Sequence, residues 1–107
     1  MKQITASEFN DEVANADLPV VIDFYTDHCG PCRMMAPVLN ELSAENATRF
    51  KIVKVDAADE SQLASECMVS VVPTFVIFRN GEPVGQKTGM QSKQALLNWI
   101  EESIGGN

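Results

Sequence analysis

The stretch Pro19-Val20-Val21-Ile22-Asp23-Phe24-Tyr25 constrains this chain more than any other. It is a strand-length apolar run interrupted only by Asp23. Such a run fits a strand covered on both faces, as in the middle of a sheet with layers packed above and below. A carboxylate placed there costs free energy unless it is paired or protonated. Asp23 therefore reads as chemistry, with a raised pKa expected from desolvation.

Around this run, apolar residues alternate between helical and strand spacing. Ser7 is expected to cap a short helix with Phe9 and Val13 on one face. Met34, Val38 and Leu42, with Met35 and Leu39 beside them, mark a helix that Pro37 should kink. Lys51 to Val55 reads as a strand, Glu60 to Cys67 as a helix, and Thr74 to Phe78 as a strand. Asn80-Gly81 is a two-residue hairpin turn, from which Pro83 to Thr88 would return. Ser92 opens a last helix with Leu96, Ile100 and Ile104 on one stripe, and Trp99 beside it in the core. The order is βαβα, then a β-hairpin, then α. It predicts an α/β fold: a central mixed β-sheet flanked by helices on both faces, in one domain over residues 1–107.

Composition narrows the function. A net charge of -7 argues against nucleic acid as a partner, since phosphate binding needs a basic face. The apolar runs fall far short of the roughly 20 residues of a membrane helix. The opening Met1-Lys2-Gln3-Ile4-Thr5-Ala6-Ser7-Glu8 has no apolar leader segment, so a cytoplasmic protein is expected. No exposed apolar stripe stands out, and a monomer is expected.

The three cysteines are Cys29, Cys32 and Cys67, an odd count that suits a structural disulfide framework poorly. Cys29-Gly30-Pro31-Cys32 sits between the apolar strand and the following helix. Its two-residue spacer lets the sulfurs reach bonding distance. The thiolate is the attacking species in disulfide exchange, and a helix N-terminus favours negative charge. That position makes Cys29 the expected nucleophile and Cys32, one turn deeper, the resolving thiol. Pro31 suits an early helical position, where its missing N–H is not needed. Zinc would need about four ligands. Only Cys67 and His28 could join the pair, so no metal site is expected. A structural disulfide closing so short a loop would remove little chain entropy.

The run from Val21 through Cys29-Gly30-Pro31-Cys32 to Pro37 resembles the active-site signature of the thioredoxin family. The resemblance continues over nearly all 107 residues. Lys54-Val55-Asp56 resembles the family's central strand, Val72-Pro73-Thr74 its cis-proline loop, Phe78-Arg79-Asn80-Gly81 its hairpin, and Thr88-Gly89 its last loop. The resemblance implies the thioredoxin fold and a protein-disulfide oxidoreductase with no cofactor of its own. Its partners would be a thioredoxin reductase, or a ferredoxin-dependent equivalent, and disulfide-containing target proteins. It implies that Asp23 takes the proton of the resolving thiol, that Lys54 neighbours Asp23, and that Val72, Pro73 and Gly89 receive an extended substrate segment.

His28 departs from the family pattern, which usually has Trp before the first cysteine. An imidazole there would support the thiolate and make the couple more oxidising, with added pH dependence near neutrality. Tyr25 also stands where the family often has Trp. Cys67 fits a small buried hydrophobe or a modifiable thiol. Two other activities compete: a disulfide oxidase or isomerase, and a non-enzymatic scaffold on the same fold. The Gly30-Pro31 dipeptide argues against the first, and the presence of both cysteines with Asp23 against the second.

Overall fold

A computed structural model describes residues 1–105. Five strands form one mixed sheet in the order β1-β3-β2-β4-β5: β1 (Lys2–Gln3), β2 (Val20–Tyr25), β3 (Lys51–Asp56), β4 (Thr74–Arg79) and β5 (Glu82–Thr88). The apolar run is β2, at the centre. It pairs in parallel with β3 and antiparallel with β4, and Val20 to Phe24 are all buried. Among the described residues three α-helices accompany the sheet: α1 (Gly30–Glu45), α2 (Ser61–Glu66) and α3 (Lys93–Ile104).

Strand alternation divides the core into two layers. Val21, Ile52, Phe75 and Ile77 face α1 and α3, where Met35, Leu39, Leu42, Leu96 and Ile100 close over them. Ile22, Phe24, Val53, Val55 and Val76 face the other way, against Val13, Leu63 and Ala64. The sheet is thus mixed, with helices on both faces. Trp99 and Ile104 pack partly buried against the first layer.

The structure refines several local expectations. The first segment is helical, as a 3-10 turn (Ala6–Glu8) followed by a π-helical turn (Asn10–Ala14), and Phe9 and Val13 pack into one layer. Its cap is Thr5 instead of Ser7, and the Thr5 N–H donates to Glu8 Oε1 at 3.0 Å. Helix α1 runs through Pro37 as one element. Its buried stripe is Cys32, Met35, Leu39 and Leu42, so Met34 turns outward and is 63% exposed. A 3.6-residue turn carries the stripe through alternating spacings of three and four, which strict spacing by four misses. The hairpin is as expected, with Asn80 and Gly81 both at positive φ (54° and 80°).

The register gathers the chain's unusual residues at one end of the sheet. Phe24 pairs with Thr74, Tyr25 with Asp56, and Thr74 with Thr88. The Cys29 loop after β2, the Val72–Pro73 segment before β4 and Gly89 after β5 therefore share that end. It is the end of β2 and β3 beyond their carboxyl termini, where open α/β sheets place their ligands.

Candidate active site

Cys29 is the N-cap of α1, with extended backbone at φ -101° and ψ 108°. Its Sγ accepts the Cys32 N–H at 3.1 Å, satisfying a helix N–H that would otherwise lack a partner. Pro31 follows in the first turn, where no N–H is required. Gly30 is exposed, and a Cβ there would meet nothing within 4 Å. Cys29 and Cys32 are joined as a disulfide, their Cα atoms 5.2 Å apart. Their surroundings differ: Cys29 is partly exposed, whereas Cys32 is buried.

Asp23 lies on the same sheet face as Val21 and Ile52, which α1 covers. Only 4% of it is exposed, and its Oδ1 has no hydrogen-bond partner among the described residues. Burial pushes its carboxyl up to about 7, and the positive charge of Lys54 holds it back from rising further. Asp23 and Cys32 line one cleft of about 230 Å³, together with Tyr25, Arg33, Ala36 and Lys54. That volume is large enough to hold water in a cleft that both residues line. Lys54 stands opposite Asp23 in the register of β2 and β3. Its Nζ sits over the Tyr25 ring, 5.2 Å from the centroid.

The Val72–Pro73 peptide bond is cis, and Pro73 is buried. The Pro73 carbonyl accepts the Gly89 N–H at 2.8 Å, and the Thr74 hydroxyl donates to the Val71 carbonyl at 2.7 Å. Among the described residues Val72 makes no backbone–backbone hydrogen bond. Gly89 has φ +86°, a conformation L side chains rarely adopt, and a Cβ there would meet open space. His28 is exposed beside Cys29. Arg33 Nη1 donates to the Asp27 carbonyl at 3.3 Å, tying the first turn of α1 to the preceding loop.

A larger cleft, about 680 Å³, lies on the opposite face of the sheet between Phe9, Leu63, Cys67 and Phe78, apart from the disulfide. Burial, with Glu66 adding to it, pushes the Cys67 thiol up, away from reactivity. Among the described residues, no three His, Cys, Asp or Glu side chains converge as metal ligands would. Among the described residues no helix is long and apolar enough to cross a membrane.

Two of these neighbourhoods were not anticipated. Tyr25, noted in the sequence only as standing where the family often has Trp, lies beneath the Lys54 ammonium. The signal was available: Tyr25 is two residues from Asp23, hence on its face. Met34, part of the apolar spacing that marks α1, lies exposed two residues after Cys32.

A disulfide capping a helix that follows the central strand of a mixed sheet, with a cis-proline at the same end, narrows the possibilities. The family model described as Thioredoxin matches residues 1–102. The chain belongs to the thioredoxin family. A thioredoxin of Rickettsia prowazekii is 38% identical over 104 residues, covering 97% of this chain and 99% of that one. A thioredoxin of Rickettsia felis is 40% identical over 101 residues, covering 94% and 96%. Thioredoxin 1 of a Nostoc species is 37% identical over 102 residues, covering 95% of each. As a thioredoxin-family protein with a redox-active CxxC pair, this chain is a protein-disulfide oxidoreductase working by dithiol–disulfide exchange.

Proposed function

We propose that this chain is a thioredoxin-type reductase of protein disulfides, with distinct roles for its two sulfurs. The observation that carries this reading is the unequal placement of the pair: Cys29 capping α1 and partly exposed, Cys32 buried one turn below. The Cys32 N–H and the positive end of α1 stabilise a thiolate on Cys29. That thiolate attacks a target S–S bond, forms a mixed disulfide and expels one target thiolate. Asp23 takes the Cys32 proton, directly or through water in the shared cleft. Cys32 then attacks Cys29 Sγ, closing the Cys29–Cys32 bond and releasing the second target thiolate. The target gains two electrons and the pair loses two; a thioredoxin reductase drawing on NADPH restores them.

Val72, Pro73 and Gly89 form the substrate edge. The free Val72 backbone pairs with an extended target segment, as a strand added to a sheet edge. Gly30 and Pro31 shape the cap, and His28 tunes the couple toward a more oxidising potential. Such a reductase acts in a reducing compartment, the cytoplasm in the simplest case. The whole chain, residues 1–107, acts as one domain.

The test is reduction of an insulin-type disulfide with NADPH and a thioredoxin reductase, followed as NADPH oxidation. Turnover in the parent, and a mixed disulfide trapped on Cys29 in Cys32→Ser, are expected. No turnover with a strongly oxidising potential would point to an oxidase instead. No turnover with an ordinary reducing potential would point to a scaffold.

A further inference from the structure

The polar end of the α1-facing layer is built from four side chains in two register pairs. Asp23 pairs with Lys54, and Tyr25 with Asp56. Because β2 and β3 are parallel and in register, all four project to the same face. Adjacency alone would favour an ion pair between Lys54 and Asp23. The structure has none: Lys54 and Asp23 form no N···O contact within 4 Å, and Asp23 Oδ1 stays without a partner among the described residues. The ammonium lies instead over the Tyr25 ring, 5.2 Å from its centroid, within cation–π range.

We infer that Tyr25 is a positioning residue that holds the Lys54 ammonium over its ring and off the Asp23 carboxyl. The inference rests on Asp23 taking the Cys32 proton. A salt-bridged Asp23 would stay ionised and be a poor proton acceptor, since its conjugate acid would be too strong. A lysine kept at ring distance moderates the carboxyl without neutralising it. Tyr25 suits this task chemically. Its phenol is pushed up by burial and by Asp56, Asp27, Asp23 and Asp59, so it stays uncharged while offering an electron-rich face. The surrounding charges are Asp56 on β3, Asp27 in the loop, Asp59 beyond β3, Arg33 on α1, and Met1, which also lines the cleft. Arg33 is engaged by the Asp27 carbonyl, and Lys54 is the cation set opposite Asp23 on the facing strand.

The experiment is a carbon-13 NMR titration of the Asp23 carboxyl in oxidised and reduced protein. It compares the parent with Tyr25→Phe, Tyr25→Leu, Tyr25→Thr, Lys54→Met and the Tyr25→Leu/Lys54→Met double variant. Lys54 ε-methylene protons should be shifted upfield by the ring in the parent and in Tyr25→Phe, and not in the ringless variants. Removing the ring should free Lys54 to pair with Asp23 and move its midpoint down by roughly 1–3 pH units, the pull of a close opposite charge. Tyr25→Phe should keep the parent midpoint, and in the Lys54→Met background Tyr25→Leu should have no such effect. The inference is overturned by a parent without the upfield shift, or by ringless variants that titrate as the parent does. A downward move that persists without Lys54 overturns it too. Release of a mixed disulfide in Asp23→Asn is measured separately. An unchanged rate there removes the proton-acceptor role of Asp23, whatever the titrations show about Tyr25.

Discussion

Two helices in this molecule begin alike. At the start of α3, Ser92 Oγ accepts the Ala95 N–H at 3.1 Å; at the start of α1, Cys29 Sγ accepts the Cys32 N–H at 3.1 Å. Both caps have extended backbone, and both satisfy an N–H of the first turn. The difference is the capping atom. A hydroxyl does not ionise near neutral pH, so at Ser92 the helix end contributes stability alone. A sulfur does ionise, and at Cys29 the same end sets the charge state of a nucleophile. The surroundings differ too: the α3 cap is followed by buried Leu96, whereas α1 starts beside the buried Asp23 carboxyl.

The comparison breaks most sharply at Cys29→Ser. Serine keeps a good cap, so the thermal midpoint should stay close to that of the reduced parent. Insulin reduction should fall at least roughly a thousandfold, because a serine hydroxyl is no thiolate. A large loss of stability would mean that the sulfur is needed for the cap itself.

Asp23→Asn tests the buried carboxyl beside α1. Asp23 titrates at about 7 when folded, against an ordinary value of 3.8. Between those values the folded state holds the extra proton, so stability falls as pH rises and the loss is complete above about 7. Removing the carboxylate should raise stability at pH 8 by about 1–4 kcal/mol, the range allowing for an unpaired buried amide. Near pH 4 that advantage should be gone. Urea titrations at the two pH values measure it, and a pH-independent difference would exclude ionisation as the cause.

Ser92→Ala should destabilise the protein by about 1 kcal/mol and leave the redox potential unchanged. A shifted potential would show that the two helix ends are coupled. The smallest effect expected is from His28→Trp, which removes an exposed imidazole next to Cys29. The potential should become more reducing by roughly 10 mV in a glutathione equilibrium, screened by solvent. Equal potentials across neutral pH would leave His28 no tuning role.

The elements that sequence reading located best were those whose signal is local and redundant. β2 announces itself by its apolar run, the hairpin by Asn80-Gly81, and α3 by its stripe and its serine cap. β1 was missed because Lys2 and Gln3 are two exposed polar residues with no pattern of their own. They are a strand because the free edge of β3 accepts them, continued by the Ile4 N–H donating to the Lys54 carbonyl at 2.9 Å. The first turn of the chain escaped for a related reason: Thr5 and Ser7 both look like caps, and Glu8 bonds the Thr5 N–H. At the candidate site, Cys29, Cys32 and Asp23 could be named from their chemistry. The Tyr25–Lys54 contact joins residues far apart in sequence, and it became visible only once the register of β2 against β3 was known.

β2 has hydrogen-bonded neighbours on both sides and contributes to both layers of the core. Its amides should exchange with deuterium only when the whole molecule opens, so they act as a built-in clock of global unfolding. Run in both redox states, that clock gives two unfolding free energies. Their difference closes a thermodynamic cycle with the potential of the Cys29–Cys32 pair in the folded and unfolded chain. The shift in the pair's potential on folding, and the difference in stability between its two forms, are therefore one quantity read in two ways.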